Sequence, residues 1–292
     1  MLQNFTLHRP ATLSEAFKIL NSYDSVLPIA GGTDLLVEFK QGRRFAENLV
    51  SLNRISEMSE ITEDAGYIHI GSTATHNSIK NSPIINMYLP ALAEAVSTIG
   101  SEQIRNMGTI GGNICTCASC ADTVPILMAY DAKVETSSEN NSNVYGLKDF
   151  TIFHHRTILK KNELLLRIIV PKPEPGFGAC FTKFGLRGAA SISVASVAAS
   201  VNISNGKINN AKIIIGACSP VPIECHSTNA MLIGAGIDGL LNDSEKLKEI
   251  GNATAEDSKP ISDIRGSAEY RRDIIPVLTR RAVLKAIERA RK

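Results

Sequence analysis

Tryptophan is absent from this 292-residue chain, and aromatic residues make up only 5% of it. Any aromatic stacking surface must therefore come from the 9 Phe or 6 Tyr. A dominant charge is also missing: 31 basic residues stand against 29 acidic ones, for a net charge of +2. Without an excess of cations, binding to nucleic acid or to an anionic membrane has no electrostatic footing at the scale of the whole chain. No uninterrupted apolar run reaches membrane-spanning length. The opening Met1-Leu2-Gln3-Asn4-Phe5 lacks the charged-then-apolar order of a signal peptide. The expectation is a cytoplasmic protein. Six cysteines are too few, in a chain this long, for a disulfide scaffold. They read as reduced thiols unless they hold metal or do redox chemistry. With 43% hydrophobic and 21% charged residues, the composition is that of an ordinary globular protein with room for two domains.

What the sequence does have is two glycine-rich turns, Gly31-Gly32-Thr33-Asp34 and Gly108-Thr109-Ile110-Gly111-Gly112-Asn113. The first follows a short apolar run, Val26 to Ile29, and the second follows an amphipathic helical stretch. Adjacent glycines let backbone amides approach a ligand closely, and successive amides form an anion-binding concavity suited to a pyrophosphate. Either turn alone reads first as an ordinary tight turn. Together they suggest a dinucleotide clasped from two sides.

The surrounding elements are readable in outline. Thr12-Leu13-Ser14-Glu15 predicts a capping box, and Leu13, Ala16, Phe17 and Leu20 the apolar stripe of the helix behind it. Short strands are predicted at 26–29, 48–52, 67–71, 132–135 and 164–170. Leu89, Leu92, Val96 and Ile99 recur at helical spacing behind Pro90, predicting a helix that delivers the chain to the second glycine turn. Pro171-Lys172-Pro173-Glu174-Pro175-Gly176 is the clearest linker. Beyond it, two β-rich runs joined by Asn205-Gly206 predict a hairpin. From about Ser227 the pattern turns helical, ending in a long Arg-rich segment from Ala268 to Arg291. Strands first and helices afterwards give this second domain an α+β order.

Two apparent motifs carry little. Gly234-Ala235-Gly236-Ile237-Asp238-Gly239 spells a dinucleotide fingerprint, but no β-rich run follows it to complete the parallel unit that the fingerprint needs. The six histidines show no metal-ligand spacing, and the side chains of His154 and His155 would point apart in an extended strand.

An ordered set of segments carries more: Ala30-Gly31-Gly32-Thr33-Asp34-Leu35-Leu36, Gln103-Ile104-Arg105-Asn106, Thr109-Ile110-Gly111-Gly112-Asn113-Ile114, Ala121-Asp122 and Arg265-Gly266-Ser267-Ala268-Glu269-Tyr270-Arg271. Over almost the whole chain this set resembles the FAD-binding medium subunit of molybdenum hydroxylases, the family of bacterial xanthine dehydrogenase and aerobic carbon monoxide dehydrogenase. The resemblance implies an α+β fold in two parts. One is an FAD-binding domain of the PCMH, or vanillyl-alcohol-oxidase, type over residues 1–176, made of two α/β subdomains. The other is a smaller carboxy-terminal α+β domain over 177–292, a sheet packed on helices.

The cofactor implied is FAD. Pro28, Ile29, Ala30, Gly31, Gly32, Thr33, Asp34 and Leu35 would wrap its pyrophosphate with backbone amides and the Thr33 hydroxyl. Thr109, Ile110, Gly111, Gly112 and Asn113 would form the opposing loop, with Asn113 donating from its side-chain amide. Asp122 would hydrogen-bond a cofactor hydroxyl; its alternative reading is a helix N-terminal acid before Pro125. Leu166 would approach the isoalloxazine or ribityl region. Lys183 would stand near the flavin's pyrimidine edge, where a cation stabilises the reduced ring; taken alone it is a solvated strand lysine. Ile99 falls where some relatives set an aromatic residue against adenine. No side chain needs to act as an acid or base, so no catalytic residue is named, and no metal ligand.

The chain departs from the family pattern at Cys115-x-Cys117-x-x-Cys120. Three close thiols suit an iron–sulfur cluster, zinc or redox chemistry, but no fourth ligand is evident. Small, partly buried residues lining the cofactor pocket is the other reading. The resemblance further implies a molybdopterin-binding large subunit and a [2Fe–2S] small subunit as partners in a heterohexamer, with NAD+, oxygen or another acceptor at the end of the electron path. A stand-alone flavin oxidase of the same superfamily, and a scaffold that has lost its flavin, are the alternative functions.

Overall fold

The computed structural model describes residues 4–292. The chain opens with β1 (Thr6–His8), α1 (Leu13–Ser22), β2 (Val26–Ile29), α2 (Leu35–Lys40) and β3 (Asn48–Ser51). The three strands form a parallel sheet in the order β1-β3-β2. Thr12 accepts from the Glu15 amide at 3.2 Å. The Glu15 carboxylate closes the box one residue upstream of the expected place, on the Ala11 amide at 2.8 Å. The apolar stripe does what its spacing predicts, burying Ala16, Phe17 and Leu20.

Next come β4 (Ile61–Glu63), β5 (Tyr67–Gly71), α3 (His76–Asn81), α4 (Pro83–Tyr88), α5 (Pro90–Ser97), α6 (Glu102–Met107), α7 (Ile110–Thr116), α8 (Thr123–Ala129), β6 (Lys133–Ser137), β7 (Ser142–Gly146), α9 (Leu147–Phe150), β8 (Thr151–Phe153), β9 (Arg156–Thr157) and β10 (Leu164–Pro171). Five of these strands make a sheet in the order β4-β5-β10-β6-β7, all antiparallel. Ile68, Ile70, Val134, Ile168 and Val170 from the sheet share one core with Leu92, Val96, Ile110, Ile114 and Leu127 from the helices. One expectation needs correction: the helix behind Pro90 does not reach the second glycine turn. It stops at Ser97, Gly100 turns the chain at φ +50, and the separate helix α6, with no buried residue, intervenes. Leu89 and Ile99 therefore flank the helix rather than lie on it.

The last part contains β11 (Phe177–Gly185), β12 (Ser193–Ser204), β13 (Lys207–Gly216), β14 (Ile223–Glu224), α10 (His226–Leu232), α11 (Ile237–Asn242), α12 (Ser244–Asp257) and α13 (Ala268–Ala290). Its antiparallel sheet runs in sequence order. Asn205 and Gly206 both adopt positive φ, 51° and 71°, as the tight hairpin turn demands. The sheet is covered on both faces. Phe181, Ala198 and Ile214 enter the core of the preceding part, whereas Val197, Ala199, Val201, Ile213 and Ile215 pack on the helices. Double coverage explains why β12 reads as a nearly continuous small apolar run instead of alternating. The Gly234–Gly239 fingerprint follows helix α10, not a strand, so no dinucleotide unit forms there. No helix among the described residues is long and apolar enough to cross a membrane.

Candidate functional site

The first glycine turn links β2 to α2. Gly32 supplies the left-handed step, φ +69°, and its carbonyl starts the helix by accepting from the Leu36 amide at 3.1 Å. Asn53 steadies the turn from outside, donating to the Ala30 carbonyl at 3.3 Å. Among the described residues, no protein acceptor meets the amides of Gly31, Gly32, Thr33 and Asp34. Four successive N–H groups with no protein partner are a donor set that fits a phosphate, because each is costly to bury without an acceptor. Pro28 is exposed, Ile29 and Leu35 are half-buried, and burial raises the Asp34 carboxyl above its ordinary range, with Glu38 adding to the effect.

The two turns touch. A Cβ on Gly31 would lie 1.9 Å from the Met107 carbonyl oxygen and 3.0 Å from Gly108 Cα. Only glycine allows this approach.

The second turn differs chemically from the first. All its amides but that of Thr109 are already engaged: Gly108 donates to Ile104 O at 2.6 Å, Ile110 to Ala74 O at 3.0 Å, Gly111 to Ser72 O at 2.8 Å, Gly112 to Thr109 Oγ1 at 3.1 Å and Asn113 to Thr109 O at 3.0 Å. The idea that both turns offer rows of amides therefore holds for the first alone. What the second offers is a bare surface at Gly112, where a Cβ would meet only Thr109 Oγ1 at 2.9 Å. It also offers the side-chain amide of Asn113. Thr123 donates to Asn113 Oδ1 at 2.6 Å, which leaves the NH2 group as the outward donor. Gly111 is a packing glycine, since its Cβ would lie 2.5 Å from Ser72 Cβ. Leu166, at an irregularity in the β10–β6 pairing, reaches this turn through its carbonyl, which accepts from the Ser72 amide at 2.9 Å. Its side chain belongs to a cluster with Phe17, Val50 and Met58.

Asp122 and Lys183 come together as a buried ion pair, Nζ to Oδ2 2.7 Å. Ser193 donates to the other carboxylate oxygen at 2.5 Å. Burial raises the Asp122 carboxyl against the opposing pull of Lys183. Asp122 does stand at the N-terminus of α8, but it makes no capping hydrogen bond there, its carboxylate being taken up by Lys183 and Ser193. Lys183 is no solvated strand lysine: it also donates to Thr98 O at 3.0 Å, next to the half-buried Ile99.

The cysteine stretch lies beside this pair. Cys117 takes the left-handed position that ends α7, φ 48°, and its thiol lies 3.2 Å from the Phe153 carbonyl. Burial pushes the Cys115 thiol up to about 12 and raises Cys117 and Cys120 as well. Among the described residues, no group of three His, Cys, Asp or Glu side chains is placed to hold a metal. His154 and His155 do not point apart. They sit at the β8–β9 turn, where His155 has φ 58° and the rings lie 4.0 Å from each other. A turn, unlike a strand, puts neighbouring side chains on one side. There they brace the cysteine stretch, His154 accepting from the Ser119 amide at 3.2 Å and His155 meeting Thr116 O at 2.9 Å.

Several residues of the site give no sequence signal of their role: Asn53, Ser72, Thr123 and Ser193. Arg271 lies within a visible motif, yet only the structure shows its task. It is 1% exposed and donates to Val194 O at 3.1 Å, Ala217 O at 3.0 Å and Asp263 at 2.6 Å. Asp263 also binds Arg265 at 2.5 Å, which holds its carboxyl well below the usual range.

Comparison with known proteins identifies the family. The family described as the FAD binding domain in molybdopterin dehydrogenase matches residues 3–173. The CO dehydrogenase flavoprotein C-terminal domain matches residues 180–286. The xanthine dehydrogenase FAD-binding subunit of Escherichia coli O157:H7 is 30% identical over 285 residues, covering 97% of this chain and 96% of that one. The carbon monoxide dehydrogenase medium chain of Afipia carboxidovorans is 29% identical over 289 residues, with 99% and 98% covered. Among solved structures, carbon monoxide dehydrogenase from Hydrogenophaga pseudoflava superposes with a TM-score of 0.93 at 27% identity, covering 99% of both chains. Quinoline 2-oxidoreductase from Pseudomonas putida 86 gives 0.93 at 26% identity, covering 100% of both. A two-part α+β fold, a row of unpartnered amides and these matches along nearly the full length lead to one assignment: the chain belongs to the FAD-binding subunits of the molybdenum hydroxylases, and is an oxidoreductase subunit whose cofactor is FAD.

Proposed function

We propose that this chain is the electron-transfer flavoprotein of a three-subunit hydroxylase. The FAD supplies the link between electrons drawn from [2Fe–2S] clusters on a small partner subunit and a final acceptor, NAD+ or another oxidant. Substrate oxidation takes place on a molybdopterin-binding large subunit. The assembly is a cytoplasmic heterohexamer of paired trimers. The junction between the FAD-binding and carboxy-terminal domains falls at 176/177.

The observation that carries this reading is the row of free amides from Gly31 to Asp34, set against the Gly112 surface. In this reading those amides and the Thr33 hydroxyl bind the pyrophosphate, Pro28 to Leu35 shape its bed, and Asn113 donates from the facing turn. Thr109 caps α7 and holds Gly112 in place. Ile99 offers an aliphatic surface to adenine, and Leu166 approaches the isoalloxazine or ribityl region from β10. The chain's own side chains bind and orient; none moves a proton in the hydroxylation.

The test is purification without tags. The expected product is a yellow protein with the absorption bands of bound flavin, accompanied by chains that carry molybdenum and iron–sulfur clusters. The isolated subunit should hydroxylate nothing. A colourless chain that takes up no FAD overturns the reading, and turnover of a small alcohol or amine by the isolated chain would favour a stand-alone oxidase.

A further inference from the structure

Helix α6 leads directly into the second glycine turn, yet it buries none of its own side chains. Its apolar residues Ile104 and Met107 are exposed. Hydrophobic burial therefore does not set where this helix lies. Its place matters all the same, because the carbonyl of Met107, its last residue, is what Gly31 of the first turn packs against. Polar side chains do the holding. Arg105 donates to Ile99 O at 2.9 Å and Gly100 O at 3.2 Å, and meets Glu102 at 2.6 Å, all within α6 and the turn before it. Asn77 reaches in from α3. Its side-chain nitrogen donates to Glu102 Oε1 at 2.5 Å and to Asn106 Oδ1 at 2.6 Å. Those two acceptors stand one helical turn apart on the same face, so a single amide grips both ends of the helix. The Glu102 carboxylate, held below its ordinary range by Arg105 and then by Asn77, only accepts, which fixes the NH2 end of Asn77 as the one that faces it. Among the described residues, no other side chain from outside the 99–107 segment hydrogen-bonds α6.

We infer that Asn77 is a positioning residue of the cofactor bed: by pinning α6 it fixes Met107, and with it the first glycine turn, in place against the second. The inference rests on the reading that the amides of Gly31 to Asp34 bind the FAD pyrophosphate, since it assigns what holds those amides in place. The backbone beside Asn77 is already committed to the second turn. Ala74 O accepts from the Ile110 amide and the His76 amide donates to Gly108 O, both at 3.0 Å. Residues 74–77 thus hold the second turn through the main chain and α6 through one side chain. Asn77 is buried, and the hydrogen bonds of its side chain go to α6 alone, so its influence on either turn passes through that helix.

The test compares amide hydrogen exchange across residues 101–108 of the FAD-free protein with FAD affinity by flavin titration. Asn77→Leu removes the donor. Glu102→Ala/Asn106→Ala removes both acceptors at exposed positions, and carries the comparison should Asn77→Leu not fold. Losing a bond to a charged group predicts roughly tenfold faster exchange in α6 and roughly tenfold weaker FAD binding in both, with exchange in α1 and α13 unchanged. Asn77→Asp alone sets two carboxylates against each other. Asn77→Asp/Glu102→Gln puts the donor on α6 and the carboxylate on α3, and should recover both exchange and affinity relative to Asn77→Asp. Wild-type exchange in α6 of the first two variants overturns the pin. Faster exchange with undiminished FAD affinity overturns the positioning role, and so does a double exchange of groups that recovers nothing. Failure of the wild type to bind FAD would instead defeat the reading of the amide row, while the exchange comparison would still decide whether Asn77 holds α6.

Discussion

At Gly31 and Gly112 the same added methyl has opposite consequences. On Gly31 it would meet a backbone carbonyl at 1.9 Å, and neither turn has a flexible atom to give way. Overpacking of this kind costs about 1–3 kcal/mol or more. Gly31→Ala is therefore expected to lower the melting temperature of the FAD-free protein and to abolish FAD uptake, by separating the turns. On Gly112 the methyl meets only the hydroxyl of Thr109 and otherwise open space. Gly112→Ala should lower the apo melting temperature far less than Gly31→Ala does, and weaken FAD binding, read by flavin titration. Full FAD affinity in Gly112→Ala would remove the second turn from the binding surface.

His76 gives the residue scale a pH dependence. It is 3% exposed, its amide donates to Gly108 O at 3.0 Å, and burial, then the nearby Arg105 charge, lowers its pKa to about 4. Unfolded, the ring titrates near 6.5. Between these values the unfolded chain holds a proton that the folded chain does not. The stabilising contribution is therefore complete above pH 6.5 and is lost as pH falls toward 4. At full development the difference is worth about 3 kcal/mol. Denaturant midpoints measured from pH 7 to pH 4 should fall less steeply in His76→Gln than in the wild type. Identical slopes would mean that the ring is protonated in place.

Elements were legible where a local signal and a long-range contact agree. The Thr12 cap and the Ala16, Phe17, Leu20 stripe announce α1, and Asn205-Gly206 announces the β12–β13 hairpin, because each is decided within a few residues. β1, β4, β8 and β9 are two or three residues long, and what makes them strands is the partner they pair with, distant for β1, where Thr6 meets Asn48, and adjacent for β8, where Phe153 meets Arg156. No periodicity can show in so short a run. The glycine turns were legible as places of close approach, but the sequence does not distinguish free amides from engaged ones. That difference depends on Ser72 and Ala74, which lie more than thirty residues upstream of the second turn.

Helix α13 shows how one element ties others together. Near its far end, Gly178 admits the helix backbone, since a Cβ there would lie 2.1 Å from Ala286 O. Near its start, Arg271 binds the carbonyls of Val194 and Ala217, and the Ala217 amide in turn donates to Ser119 O at 2.9 Å, next to the cysteine stretch. Arg271→Met leaves Asp263 and two buried carbonyls short of partners, at a cost of about 3–5 kcal/mol. The expected outcome is a lower urea midpoint with an unchanged slope, since the folded state remains as compact as before. A midpoint equal to that of the wild type would show that the guanidinium adds nothing net to the fold.

At the scale of the whole molecule, the carboxy-terminal sheet is the middle layer of the protein. One of its faces supplies Phe181, Ala198 and Ile214 to the core of the preceding part, while the other carries the helices. Tyr130 and Phe177 stack across the same junction, with ring centroids 5.5 Å apart. Pulling the two parts from each other would expose a full apolar sheet face, which is unfavourable by roughly 25 cal/mol for each Å² of apolar surface. Two-domain chains often melt in two steps, but this shared layer opposes it. The FAD-free protein is expected to unfold in one transition. Far-UV circular dichroism should coincide with the near-UV tyrosine signal, which no tryptophan obscures, and the calorimetric enthalpy should equal the van't Hoff value. Two separated transitions would mean that the sheet face tolerates water, and that the Asp122–Lys183 ion pair can part while each half stays folded.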